Sequence, residues 1–285
     1  MIEVRNLKFS YPGAEAPVLK GLDFEIRKGE IFGFLGPSGA GKSTAQKILI
    51  GALKGYEGSA KVSGQEIRRA GTDYYERIGV AFEFPNFYMK FTAMENLKLF
   101  RSLYKGETED PERLLRQVGL EEAAHLKVSR MSKGMRMRLN FCRALLNRPE
   151  MLFLDEPTSG LDPVNASAMK EMIMAKRAEG ATVLITTHNM EAARQLCDRV
   201  AFIVDGRIKL IESPRELMIR HGSKRVKVEY RRPDGKTAEE QFSLTGIGGN
   251  ARFQQLLKEA DIETIHSMEA SLGDIFIEVT GSRLT

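Results

Sequence analysis

The stretch Gly36-Pro37-Ser38-Gly39-Ala40-Gly41-Lys42-Ser43-Thr44 has the spacing G-x-x-x-x-G-K-S. Small residues there let consecutive backbone N–H groups point inward and cradle phosphate oxygens, and a following helix adds its positive N-terminal end. Lys42 then reaches the β- and γ-phosphates, and Ser43 offers a hydroxyl to Mg²⁺. A second chemical signal is Met151-Leu152-Phe153-Leu154-Asp155-Glu156, an apolar run that ends in two carboxylates. A carboxylate at the C-terminal edge of a buried strand lies at the mouth of a ligand crevice. Asp155 suits the Mg²⁺ shell. Glu156 suits a general base that polarises an attacking water, the group that separates hydrolysis from mere binding. Two solvated acids in a turn are the plain alternative, and the phosphate loop argues against it.

These residues need a frame, and the pattern of the chain supplies one. Residues 31–35, 151–154 and 182–185 are continuous apolar runs, as strands read when helices cover both faces of a sheet. Each precedes a helical pattern, at 42–53, 163–178 and 190–197, which predicts a parallel, helix-flanked sheet. Residues 2–26 and 57–67 read instead as short Gly-punctuated strands of an antiparallel sheet. The segment 92–147 is largely helical, an insertion placed at about 84–148. After His221, 225–230 alternates like an exposed strand, Arg232-Pro233-Asp234-Gly235 is a turn, and 253–259 is a short helix. The expected division is an α/β domain over 1–220 and an α+β tail over 221–285.

Composition narrows the class further. The chain has 285 residues, 43 Lys+Arg and 38 Asp+Glu, for a formal charge of +5. Residues 1–220 hold 34 basic and 28 acidic side chains and the remainder 9 and 10, with no block of like charge, so charge alone names no nucleic-acid partner. At 42% hydrophobic it is a packed chain. No apolar run approaches the roughly 18 residues of a membrane span, and the start lacks the apolar core of a signal peptide. The two cysteines, Cys142 and Cys197, read as buried thiols of a cytosolic protein.

Over residues 2–217 the motifs together resemble the nucleotide-binding subunit of an ABC transporter. The resemblance implies a P-loop NTPase fold with a RecA-like parallel core, an antiparallel β subdomain and a helical insertion. It places Tyr11 where an aromatic stacks on adenine, and Met131-Ser132-Lys133-Gly134-Met135 at the family signature, ahead of the helix 136–146. Ser159-Gly160-Leu161-Asp162 looks like the loop that crosses between subunits, and His188, after the strand 182–187, like the γ-phosphate switch. Two such subunits, in a homodimer or with a related chain, would close head to tail over two ATP molecules. Ser132 and Gly134 would then bind the γ-phosphate held by the opposite copy. The cofactors implied are ATP and Mg²⁺. The implied partner is a separate integral membrane permease on the cytoplasmic face of the membrane, with no nucleic acid.

Two positions depart from the family pattern. Glu83 stands where Gln usually offers a neutral oxygen to Mg²⁺, which adds a negative charge beside the phosphates and predicts tight Mg²⁺ coupling. Lys133 and Met135 replace Gly and Gln of the signature, a form similar to the ABC-2-type drug and antibiotic exporter branch. The end Ser271-Leu272-Gly273-Asp274-Ile275-Phe276-Ile277-Glu278-Val279 resembles that branch too, and reads as a closing amphipathic helix with Ile275, Ile277 and Val279 packed. The aromatic run Phe84-Pro85-Asn86-Phe87-Tyr88-Met89 reads either as local core or, since it lies where the family receives a helix of the membrane subunit, as a docking surface with Phe87 and Tyr88 partly exposed. The competing readings are a soluble ABC-type ATPase acting on nucleic acid or ribosomes, and a small-molecule kinase. The first needs a coiled-coil or zinc insertion or a second ATPase domain, and the second leaves the signature, Glu156 and His188 unexplained.

Overall fold

The computed structural model describes residues 1–222, 224–268 and 270–282; of the tail assigned as 221–285, positions 223, 269 and 283–285 lie outside the described residues. The chain opens with strands β1 (Ile2–Phe9) and β2 (Leu19–Ile26), then β3 (Ile31–Leu35), helix α1 (Lys42–Leu49), β4 (Glu57–Val62), β5 (Gln65–Glu66), α2 (Thr72–Tyr75) and β6 (Ile78–Ala81). Helices α3 (Ala93–Arg101), α4 (Pro111–Gln117) and α5 (Lys133–Leu145) follow. The chain then returns to β7 (Met151–Asp155), α6 (Pro163–Ala178), β8 (Thr182–Thr187), α7 (Met190–Leu196), β9 (Arg199–Val204), β10 (Arg207–Glu212) and α8 (Pro214–His221). It closes with β11 (Arg225–Arg231), β12 (Thr237–Ser243), α9 (Ala251–Glu259), β13 (Asp261–Ser267) and α10 (Leu272–Thr280).

The central sheet has the order β10-β9-β3-β8-β7-β6; five strands are parallel and the edge strand β10 is antiparallel. Its side chains alternate between two cores. Phe32, Phe34, Phe153 and Leu184 face the antiparallel sheet β2-β1-β4-β5 and α1. Leu35, Leu152, Leu154, Val183 and Ile185 face the core shared with α3–α7. Period-two alternation with both faces covered gives the unbroken apolar runs of β3, β7 and β8.

Local chemistry sets the helix ends. Thr92 and Glu95 form a reciprocal capping box on α3, Ser132 caps α5 through Met135 N–H at 3.1 Å, and Asp162 caps α6 ahead of Pro163. Helix α1 ends at Leu49, short of the expected 53, because Gly51 turns the chain with φ +77. Helices α3 and α4 occupy only part of the insertion before α5, with irregular chain between them.

The segment after α8 has the expected strand, turn and helix. Strands β12-β11-β13 and α9 form a small sheet-and-helix unit with its own core of Val226, Val228, Tyr230, Phe242 and Leu256. The last helix does not join it. Leu272, Ile275 and Phe276 of α10 are buried in the same core as β9, and the Phe276 ring meets Phe202 at 5.1 Å. The packed set is therefore spaced i, i+3, i+4. Ile277, expected inside, is 44% exposed, because it falls a quarter-turn off that stripe, and Val279 is half-buried.

Candidate active site

Four neighbouring strands of the parallel sheet, β3, β8, β7 and β6, send loops out at their carboxyl ends, where a parallel sheet places its ligand crevice. The loops carry the phosphate-loop motif, His188, the Asp155-Glu156 pair and Glu83. Together with Tyr11 and Val18 they line a cleft of about 480 Å³ that holds Ser38, Gly39, Gly41, Lys42, Ser43, Thr44, Glu83, Asp155, Glu156 and His188.

The phosphate loop is tightly seated. A Cβ at Gly36 would stand 2.1 Å from the Ile203 carbonyl oxygen, and one at Gly41, whose φ is +105, 2.7 Å from a Leu19 methyl. Gly36, Pro37 and Ala40 therefore form the base of the loop rather than the lining of the cleft. The Lys42 ammonium donates to the carbonyl oxygens of Gly36 at 2.7 Å and Pro37 at 2.9 Å. Burial pushes its pKa below the usual lysine value, and Glu156, Asp155 and Glu83 pull it back up. Tyr11 packs edge-on against Phe9, and its hydroxyl lies 3.2 Å from that of Thr44.

Asp155 accepts from Ser43 Oγ at 3.3 Å and, over a very short distance, from Thr186. Burial raises its pKa above the usual carboxylate range, against the hydrogen bonds that lower it. Glu156 is 7% exposed and has φ +48, a left-handed conformation unusual for its type and costly unless the surroundings impose it. Its Oε2 accepts from Thr187 Oγ1 at 2.8 Å; its Oε1 accepts from the His188 N–H at 2.9 Å and contacts His188 Nδ1 at 2.6 Å. Ser43 and Asp155 are hard oxygen donors on one wall, and among the described residues no group of three or more His, Cys, Asp or Glu forms a metal cage. That set fits Mg²⁺, which binds through one or two protein oxygens and completes its shell with water and phosphate.

Ser132, Gly134 and Asp162 stand apart from this cleft. Gly134 lies against the loop at 159–162, since a Cβ on it would sit 3.5 Å from Leu161 and 3.7 Å from the Gly160 carbonyl oxygen. The Asp162 carboxylate accepts at the start of α6 from the N–H groups of Val164 and Asn165 and from the Asn165 amide. Phe87 is half-buried, 6.2 Å from Phe100 and under the Arg143 guanidinium, whereas Tyr88 is 56% exposed and stacked on Phe91. Sequence reasoning missed Thr186, Thr187 and Gln46 at the site. The signal available was two hydroxyls at the end of an otherwise apolar strand.

The ABC transporter family model matches residues 19–159, and a model of the fluoroquinolone efflux ABC transporter C-terminal domain matches 224–269. A fluoroquinolones export ATP-binding protein of Mycobacterium tuberculosis is 54% identical over all of this chain and 95% of its own length. A Nod factor export ATP-binding protein I of Burkholderia orbicola is 35% identical over 99% of this chain and 98% of its own. Among solved structures, the ATP-binding subunit of an ABC transporter aligns with TM-score 0.70 and 28% identity over 77% of this chain and 92% of that one. The dimeric post-hydrolysis state of an ATP-binding cassette bound to ADP and Pi aligns with TM-score 0.67 and 27% identity over 75% and 98%. With the phosphate loop, the acid pair and these whole-length relatives in hand, the chain belongs to the ABC transporter ATP-binding proteins, an ATPase of their export branch.

Proposed function

We propose that this chain drives the export of a drug-type small molecule, of the fluoroquinolone class, by hydrolysing ATP against a separate membrane subunit on the cytoplasmic face. The observation that carries this reading is the convergence of Lys42, Ser43, Asp155, Glu156 and His188 on one cleft in a chain 54% identical, end to end, to a fluoroquinolones export ATP-binding protein. No helix among the described residues is long and apolar enough to cross a membrane, so the substrate path is assigned to the partner.

In this reading the loop N–H groups and Lys42 hold the phosphates, and Tyr11 stacks on the adenine. Ser43 and Asp155, with Glu83 beside them, would hold Mg²⁺, which would supply positive charge to offset the charge developing on the phosphates. Glu156 accepts the proton of the attacking water, and His188, already on its carboxylate, orients it toward the γ-phosphate. Lys42 must leave the Gly36 and Pro37 carbonyl oxygens to reach phosphate. Ser132 and Gly134 act in the second copy of a head-to-tail dimer, homomeric or with a related chain; the Ser132 hydroxyl proton stays free while its oxygen caps α5. An apolar groove lined by Ile50, Tyr75, Val80, Phe82, Phe100 and Tyr104, of about 400 Å³, is the seat for a helix of the permease.

The test uses the subunit reconstituted with its membrane partner in inverted vesicles. Glu156→Gln is expected to lower ATP turnover by about 10²–10⁴-fold, the usual worth of a general base. ATP binding should persist and a stable ATP-bound dimer should accumulate. ATP-driven fluoroquinolone uptake into the vesicles should vanish with the variant. Full ATPase activity in Glu156→Gln removes it as the base, and uptake that ignores fluoroquinolones removes the substrate assignment.

A further inference from the structure

The two acids of the cleft are each held by a different threonine of β8, and period-two geometry explains the pairing. Asp155 lies in register with Thr186, and both continue the side of the sheet that carries Phe153 and Leu184 and faces α1. Thr187 continues the opposite side, with Ile185, and Glu156, just past β7 in its left-handed conformation, brings its carboxylate to it. Both threonines are buried, at 0% and 2% exposure, at the end of a strand otherwise built from Val183, Leu184 and Ile185.

A hydroxyl has one proton to give, and the partners of each threonine oxygen decide where it goes. The Thr187 oxygen accepts from the Asn189 N–H at 3.0 Å, which leaves its proton for Glu156 Oε2. Thr186 Oγ1 also lies 3.1 Å from the side-chain oxygen Oε1 of Gln46, a buried residue of α1. Thr186 has one proton for two acceptors, and Gln46 Nε2 has no partner in this orientation; turning the Gln46 amide over gives Nε2 the Thr186 oxygen as acceptor and directs the Thr186 proton at Asp155 Oδ1.

We propose that Thr186 and Thr187 are separate positioning residues: Gln46–Thr186 aims Asp155 at the metal, and Asn189–Thr187 holds Glu156 where it meets the attacking water. The inference rests on the roles given above to Asp155 and Glu156. It predicts that the two hydroxyls, neighbours in sequence, control different quantities. A pair of threonines kept only as packing would control neither.

The experiment compares Val and Ser replacements at both positions in the full-length protein. It reads ATP affinity with and without Mg²⁺ by calorimetry, the Mg²⁺ dependence of turnover, kcat, KM and the melting temperature. Thr187→Val is expected to lower kcat about tenfold or more with ATP affinity and Mg²⁺ dependence unchanged. Thr186→Val is expected to reduce the Mg²⁺-dependent gain in ATP affinity by about tenfold, a binding readout independent of turnover. Ser at either position should restore most of the loss, because it keeps the hydroxyl and drops the methyl. The proposal is overturned if both Val variants change the same quantity, if neither changes any, or if Ser is as impaired as Val. Should a Val variant fail to melt cooperatively, Thr→Cys, close in volume but a weak hydrogen-bond partner, replaces it under the same criteria. Asp155→Asn and Glu156→Gln run alongside: if these retain full metal dependence and rate, the reading of the acids fails; if they lose both while the threonine variants do not, only this inference fails.

Discussion

Lys42 and Asp155 carry opposite charges in one cleft, yet burial moves both away from their charged forms. Asp155 has a folded-state pKa above its unfolded value of 3.8, so its contribution to stability is present below that value and is lost as pH rises through the folded pKa. Above the folded-state pKa its ionised carboxylate therefore costs folding free energy. Asp155→Asn should raise the melting temperature at pH 7, by about 0.5–2 kcal/mol in stability, as relief of a functional site commonly does. The gain should shrink as pH falls toward 4; thermal melts at both pH values check the sign, and a variant less stable at pH 7 contradicts it. Glu83 adds a third acid to this wall. Glu83→Gln should weaken the Mg²⁺ dependence of ATP hydrolysis and raise turnover several-fold in a metal titration; if rate and Mg²⁺ dependence both stay unchanged, the position is no ligand.

Helix α5 connects three parts of the molecule. It begins after its cap Ser132 and packs along the insertion, and it grips the chain on both sides of Glu83. Buried Asn140 donates to the Phe82 carbonyl oxygen at 2.7 Å and accepts from Arg143 at 2.7 Å; Arg143 donates to the Asn86 carbonyl oxygen at 3.0 Å and lies over the Phe87 and Phe100 rings, 5.2 Å from each. The guanidinium is thus held by carbonyl oxygens and aromatic faces, and desolvation lowers its pKa. Removing the Asn140 amide would strand the Phe82 carbonyl, so Asn140→Ala should destabilise the protein by about 1–3 kcal/mol in denaturant melts. It should also weaken the Mg²⁺ response through Glu83. A loss of stability with an unaltered metal titration would confine Asn140 to packing.

At the scale of the whole molecule, α10 fastens the chain after β13 to the ATPase core. Phe276 is fully buried against Phe202, so Phe276→Ala should cost about 3–5 kcal/mol in a single cooperative transition. Separate melting of the β11–β13 unit, with the ATPase core unaffected, would show that α10 stabilises only its own neighbourhood. The sheet face of the antiparallel unit away from its own core carries ion pairs such as Lys227–Glu229 and Arg231–Glu263.

The sequence by itself determined the chemistry that depends on local spacing: the phosphate loop, the strand ending in Asp155-Glu156, the order of helices and strands, and the change of texture after 221. These are legible because each rests on contiguous residues or on a fixed period. Tertiary structure alone decided the rest. The register of β7 against β8 sets Thr186 on Asp155, and the turn after β7 lays Glu156 on Thr187, residues 31 positions apart in both cases. The face that α10 presents was decided by the shape of the core beneath it, which turned Ile277 outward and Phe276 inward. The occupation of Asp162 by its own helix start, and the distance of Ser132 and Gly134 from their own cleft, follow from where α5 and α6 are packed. Such pairings depend on contacts between distant segments, and periodicity along one segment carries no information about its neighbour.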